Sequence, residues 1–472
     1  MRWRRRNERV GKGYNMKVKE KSLFPTKTEG ATAPSLRSIL GESIDPVSWA
    51  TDGLLPGNGF KIFDDAGQIY ELQLARMEFS TLGRDMDLFR KRAAYFETVD
   101  GKPSYHSSIA KVRGKGQIGN SNQYMTHWFY PYKGKFHGQM IKAIINFMGA
   151  GEKDIILDPF LGSGTTLVET ALLRTGGLGI DINPALCVVS QIKTDCLRID
   201  YEELNSAINQ AGPPLRIFEY FKTAKIETKK FFPESEPINA REILNHVWEF
   251  RFPPSLIKEM PFEIRNFLLL TYLHALSDYT YLKGTAKEKS FEEFFLIDLS
   301  EYLQTIKGTY LTLKKLRLEP KAPEIMLASA MALPISDNSI AGIITSPPYS
   351  IALDYVKNDL HLLTYLGIDT SPLREQMVGL KGSKDKKLVF YEDDIRKSVE
   401  EMHRVLKPGA WAAIVLGDVV VDGKRTDFCQ KIESWAPEIG FSDAYAMRRP
   451  ILGGFAKLRY EYVLFLQKGN NK

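Results

Sequence analysis

The stretch Asp154-Ile155-Ile156-Leu157-Asp158-Pro159-Phe160-Leu161-Gly162-Ser163-Gly164-Thr165-Thr166 sets the frame for the whole chain. Its apolar run reads as a short buried strand, the glycine-rich part as a turn, and the two threonines as the opening of a helix. Strand, glycine turn and helix form the context of a nucleotide-type site. Gly162 and Gly164 let the backbone approach a ligand closely. The free N–H groups at Thr165 and Thr166 favour a carboxylate. No Gly-Lys-Ser/Thr follows, so a phosphate-cradling loop is excluded. Leu167 stands where a dinucleotide fingerprint needs its third small residue. A second strand, Gly177-Leu178-Gly179-Ile180, ends at Asp181 and is followed by Ile182-Asn183-Pro184. Asp181 lies 17 residues beyond Gly164, close to the roughly 20 expected of an acid that binds ribose hydroxyls. These features predict an α/β fold built on a doubly wound, Rossmann-like parallel sheet.

A second anchor lies far downstream. The run Ile340-Ala341-Gly342-Ile343-Ile344 predicts another buried strand, stopped by Thr345-Ser346-Pro347-Pro348-Tyr349-Ser350. Open α/β sheets bind ligands at the carboxyl edge of their strands. At that edge the loop offers the Ser346 hydroxyl, backbone carbonyls that proline keeps out of a helix, and the plane of Tyr349. Acceptors beside a stacking ring suit a flat heteroaromatic ring with an exocyclic amine.

The two segments together resemble the amino-group DNA methyltransferases. Asp158-Pro159-Phe160-Leu161-Gly162-Ser163-Gly164-Thr165-Thr166 closely matches their S-adenosylmethionine motif, and Ser346-Pro347-Pro348-Tyr349 their catalytic Ser/Asp/Asn-Pro-Pro-Tyr/Phe motif. The resemblance covers about residues 127–200 and 324–466. It implies a methyltransferase sheet with a C-terminal antiparallel hairpin (Tyr445 to Arg449 and Tyr460 to Leu466) and S-adenosylmethionine as cofactor. It assigns Ser346, Pro347, Pro348 and Tyr349 to catalysis. It assigns Lys135, Phe136, Asp158, Phe160, Gly162, Ser163, Gly164, Thr165, Thr166, Asp181, Ile182, Ser329 and Ala330 to the cofactor. Family members usually carry an aspartate where this chain has Ser329. The Ser-Pro-Pro-Tyr form is most typical of enzymes acting on N4 of cytosine, which implies a site-specific methylase of duplex DNA that flips its target base. A restriction-modification setting follows, with a cognate restriction endonuclease as candidate partner. The adenine-N6 enzymes, RNA guanine-N2 methyltransferases and a non-enzymatic DNA-binding protein on the same fold are the alternatives. Methylation at ring carbon C5 would need a cysteine nucleophile, commonly after a proline; Cys187, Cys196 and Cys429 each follow another residue.

The remaining chain is organised around these anchors. Residues 1–21 form a basic tail rich in Arg and Lys, read either as a solvated disordered end or as an arm along phosphates. Residues 22–115 receive no role. Residues 116–200 and 321–470 are expected to make the methyltransferase domain. Between them, 201–320 is a mainly helical insertion and the candidate target-recognition region. Its clearest helix starts at Ser290, where Glu293 completes a capping box. Two basic glycine-containing stretches, at 101–126 and 374–387, read as linkers or as contacts to a polynucleotide backbone. The 472 residues carry a net charge of +7 with 43% hydrophobic and 26% charged residues, which fits a globular protein with a polyanionic partner. No apolar run reaches membrane-spanning length and no C-x-x-C pair is present, so a cytoplasmic protein without a membrane segment or a metal is expected.

Overall fold

A computed structural model describes residues 59–470, apart from 67, 114–122, 133, 225–236, 282–288, 349–353, 383–385, 418, 422–423 and 451–459. The basic tail, Tyr349 and the middle of the 374–387 stretch therefore lie outside the described residues.

An eight-stranded sheet forms the centre. Its strands are β1 (Ile155–Asp158), β2 (Gly176–Asp181), β3 (Ile238–Asn239), β4 (Glu324–Leu327), β5 (Ile340–Thr345), β6 (Leu406–Gly417), β7 (Phe441–Pro450) and β8 (Tyr460–Lys468). Across the sheet the order is β7-β8-β6-β5-β1-β2-β4-β3. The five strands from β6 to β4 run parallel, while β7 and β8 form the antiparallel hairpin at one edge and the two-residue β3 is antiparallel at the other. The chain leaves β1 towards β2 and β4, then returns to β5 on the other side of β1. The carboxyl ends of β1 and β5 thus bound the switch point, where open sheets of this type take their ligands. The α/β class and the terminal hairpin are as the sequence implied.

Helices cover both faces. The helices α8 (Lys387–Val405) and α9 (Phe428–Ile439) set Tyr391, Ile395, Val399, Met402, Phe428 and Ile432 against Leu157, Ile180 and Ile343. Alternation along β5 turns Gly342 to the opposite face, where a side chain at that position would collide with Met148 at the end of α2 (Gly138–Met148). The helix α3 (Thr165–Leu172) lies very close to β2. A Cβ on Gly179 would come within 2.7 Å of Leu167. The close approach that a dinucleotide fingerprint gains from a small residue on the helix is obtained here from a glycine on the strand, which explains why Leu167 is tolerated.

Two stretches differ from expectation. The run Lys407-Pro408-Gly409, between a helical pattern and the apolar stretch from Trp411, predicts a helix stop ahead of a strand. Instead α8 ends at Val405 and β6 begins at once. The register jumps from Ile340 opposite Leu406 to Gly342 opposite Trp411, so the Lys-Pro-Gly segment bulges within the strand, with Gly409 at φ 77°. The region before residue 113, given no role from sequence, is bolted to the core. In α1 (Ile69–Leu82), the Glu78 carboxylate is fully buried and accepts from the Ala94 and Tyr95 amides and from Asn146 Nδ2 of α2.

The insertion follows α4 (Pro184–Asp195), and its described residues are mainly helical, as expected, with the short β3 among them. Its longest helices, α5 (Phe262–Tyr281) and α6 (Phe291–Leu316), pack together. The Ser290–Glu293 capping box is formed, and Phe295, Leu299, Tyr302, Ile306 and Leu313 make the buried face of α6. Phe295, Leu299, Tyr302 and Ile306 join Phe218, Trp248 and Tyr272 in one apolar cluster that also includes Val188 and Ile192 of α4, while Leu313 belongs to a second cluster with Val168 and Leu172 of α3. The insertion is thus continuous with the sheet's own core.

Candidate functional site

The two motifs meet through a single buried carboxylate. Asp158 closes β1 and Thr345 closes β5, and the neighbouring strands bring them together. Thr345 Oγ1 donates to Asp158 Oδ1 at 2.6 Å and accepts from the Phe160 amide at 3.2 Å. Thr166, in the first turn of α3, donates to Asp158 Oδ2 at 2.7 Å. The glycine turn, the start of its helix and the residue preceding Ser346 are therefore knotted at one point. Burial pushes the Asp158 pKa up to about 6, against the opposing effect of these bonds.

Beside the knot opens a cleft whose empty space, open solvent included, is about 940 Å³. Lys135, Phe136, Phe160, Gly162, Ser163, Thr165, Asp181, Ile182, Ser329 and Ala330 line it, together with Ser346, Pro347 and Pro348. The structure thus gathers ten of the expected cofactor residues and three of the four expected catalytic residues at one cavity. Asp158, Gly164 and Thr166 do not line it. Asp158 and Thr166 spend their polar atoms on the knot, and Gly164, at φ 76°, is pressed against Ser190, where a Cβ would come within 2.8 Å. They shape the turn from behind.

The turn is held open by its surroundings. Ser190 Oγ donates to the Gly162 carbonyl at 2.9 Å, and the fully buried Lys193 ammonium donates to the Ser163 carbonyl at 2.7 Å. The Gly162 amide donates to Asp181 Oδ2 and the Asn183 amide to Oδ1, each at 2.8 Å. Burial raises the Asp181 pKa to about 6. On the opposite wall, Lys135 donates to the carbonyls of His127 (3.1 Å) and Tyr130 (2.6 Å), which tightens the loop carrying Phe136. That segment is tied to α3 through the buried Glu169, which accepts from Tyr124 Oη at 2.5 Å and meets His127 Nε2 at 2.6 Å.

Several members of the site carried no assignment from sequence. Tyr132, Leu186, Tyr355, Gln376 at the end of α7 (Ser371–Gln376), Met377 and Val378 also line the cleft. Tyr391 Oη, on α8, donates to the Pro348 carbonyl at 2.5 Å and restrains the proline turn. Thr345 could have been found, since its hydroxyl closes the apolar run just before Ser346 and the prolines. Tyr391 could not, because 43 residues separate it from Pro348.

The donor set fits S-adenosylmethionine. A half-buried acid at a strand end faces a cleft that also holds aromatic rings and a helix start, which suits a ribose, an adenine plane and a carboxylate. Gly162 sits at φ 52°, a backbone conformation that favours glycine at the turn.

A DNA methylase family model, of the N6/N4 type, matches residues 102–191. The type II methyltransferase M.BsoBI of Geobacillus stearothermophilus is 28% identical over 317 residues, covering 60% of this chain and 59% of that protein. M.MjaII, a type II methyltransferase of Methanocaldococcus jannaschii, is 43% identical over 68 residues, covering 14% of this chain and 12% of that protein. A tRNA (guanine(10)-N2)-dimethyltransferase of the same archaeon is 29% identical over 77 residues, covering 16% and 21% of the two chains. The chain thus spans 59% of the first relative's length and far less of the others. No helix among the described residues is long and apolar enough to cross a membrane. With the glycine turn inside the matched segment and the sheet of the expected type, this chain is similar to the amino-group DNA methylases.

Proposed function

We propose that this chain transfers a methyl group from S-adenosylmethionine to the exocyclic N4 amine of cytosine in duplex DNA, as the modification enzyme of a restriction-modification pair. The observation that carries the proposal is the Asp158–Thr345 knot, which sets Ser346, Pro347 and Pro348 on the rim of the cleft that contains Gly162 and Asp181.

The cofactor, when bound, supplies a methyl group on a positively charged sulfur. The chain's own task is to present a poor nucleophile to it, because the lone pair of an amine on a pyrimidine is delocalised into the ring. Ser346 Oγ and a carbonyl of the proline turn accept the two amine hydrogens, which draws electron density back to nitrogen and aims it. The Pro348 carbonyl is held by Tyr391, so the turn is preorganised. Orientation and electrostatics then provide most of the acceleration. The amine turns acidic only as the new bond forms, so no tuned general base is required. A base inside a duplex cannot reach this cleft, and it has to leave the stack. Tyr349, outside the described residues, is assigned to stack on it.

Two related substrates stay in contention on specific grounds. Adenine-N6 uses the same machinery, and Ser346 at the first motif position favours cytosine. The tRNA guanine-N2 likeness rests on 77 residues. Incubation with methyl-labelled S-adenosylmethionine and either duplex DNA or tRNA, followed by nucleoside analysis, tests all three. N4-methylcytosine is expected. N6-methyladenine would move the target base, and label in tRNA alone would overturn the DNA assignment. Substituting Tyr349→Ala should cut transfer about 10- to 100-fold, in line with ~1–3 kcal/mol per stacked base, and leave cofactor affinity nearly intact. Equal losses in both would remove the stacking role.

A further inference from the structure

Away from the cleft, α5 and α6 bring together three side chains that the chemistry above does not use. His274 and Asp278 sit one turn apart on α5, and Asp298 reaches them from α6. One ligand atom from each lies within 4.8 Å of the others. Asp298 is only 6% exposed and His274 7%. The Asp298 Oδ2 atom is buried and has no hydrogen-bond donor. A carboxylate oxygen removed from water and left without a partner is costly, and a second acid beside it adds repulsion.

We propose that His274, Asp278 and Asp298 hold a divalent transition-metal ion of the zinc or manganese type, which clips α5 to α6. One imidazole and two carboxylates are an ordinary ligand set for such ions, whereas magnesium prefers oxygen ligands throughout. The imidazole is already oriented for the task. Its Nδ1 is engaged by Tyr302 Oη at 2.8 Å, which leaves Nε2 directed at the acids, 3.6 Å from Asp278 Oδ2. A ligating histidine is commonly fixed in this way, through a partner on its other nitrogen. The ion supplies the positive charge that Asp298 Oδ2 lacks. Tyr302 Oη also accepts from the Tyr130 amide at 2.8 Å, two residues before Tyr132 in the cleft wall. A filled site therefore braces the helical insertion and, through Tyr302, one wall of the cleft.

The test uses the purified full chain, stripped with EDTA and desalted, then titrated by calorimetry with Zn²⁺ or Mn²⁺ alone and with Mg²⁺ for contrast. The expected result is uptake of about one equivalent of zinc or manganese, a rise of a few degrees in Tm, and tighter binding as pH rises because protons leave the ligands. The isosteric Asp298→Asn should weaken uptake by about 100-fold and abolish the rise in Tm, while its metal-free melt stays cooperative. A wild-type protein that takes up neither ion overturns the proposal and leaves two acids sharing a proton. Uptake unchanged in Asp298→Asn also overturns it, since the ion then lies elsewhere.

Discussion

Two buried aspartates in this molecule are handled in opposite ways. Asp158, at the end of β1, is fully buried, and both of its oxygens are met, by Thr345, Thr166 and the Phe160 amide. Asp298, in the third turn of α6, is almost as buried, yet one of its oxygens meets no donor. The first is a closed unit whose partners all come from the chain, so its work is to hold two motifs in register. The second is an open unit, and an open buried carboxylate is an acceptor still waiting for its donor. Burial alone does not separate a structural acid from a ligand; the accounting of its lone pairs does.

The sharpest way to break this contrast is Thr345→Val, which keeps the shape and removes the hydroxyl. If the knot is closed as described, Asp158 loses its shortest bond and the Phe160 amide loses an acceptor. A loss of about 3 kcal/mol in urea unfolding is expected, since hydrogen bonds to charged groups contribute ~1.5–3 kcal/mol and their orphaned partners cost more. Methyl transfer should fall further than stability implies, because Ser346 is the next residue. A loss below ~0.5 kcal/mol would show that Asp158 does not tie the strands together.

The open unit should respond with the other sign. Burial, together with repulsion from Asp278, pushes the Asp298 pKa up to about 8. A carboxyl whose folded pKa lies above its unfolded value favours the fold fully below the unfolded value, near 4, and loses that advantage as pH rises through about 8. Metal-free protein should therefore become less stable between pH 5 and 8, and Asp298→Asn should lessen that fall. The variant is expected to be about 1–2 kcal/mol more stable than wild type at pH 8 and nearly equal at pH 5 in urea melts. A variant that is less stable at pH 8 would mean that Asp298 already has its partner within the chain.

How far the sequence revealed these features follows from their range. The glycine turn, Asp181 and the two prolines are local patterns, each a few residues beside a recognisable strand, so the type of sheet could be read ahead. Asp158 was legible as part of a motif and its role was not. An expected cofactor contact proved to be a tie to Thr345, 187 residues away, and no local pattern encodes such a pairing. The metal-ligand set was invisible for the same reason. His274 and Asp278 have helical spacing, but they acquire meaning only when Asp298 arrives from another helix. Gly179 shows the converse case: Leu167 broke a known pattern, and the compensating glycine lay on the neighbouring strand.

The smallest expected effect tests whether the closed unit extends to the rim of the cleft. Tyr391 is buried, its ring 4.8 Å from Phe428, and its hydroxyl is the donor that meets the Pro348 carbonyl. Tyr391→Phe keeps the ring and its packing and frees that carbonyl, at a stability cost of about 1 kcal/mol. On the proposed function the proline turn aims the amine only during transfer, so kcat should drop about 5- to 10-fold, the rate equivalent of ~1 kcal/mol, while the Kd for S-adenosylmethionine holds. A parallel loss of cofactor affinity would make Tyr391 a general support of the cleft. An unchanged kcat would mean that the prolines alone fix the turn, and that the rigid unit ends at Thr345.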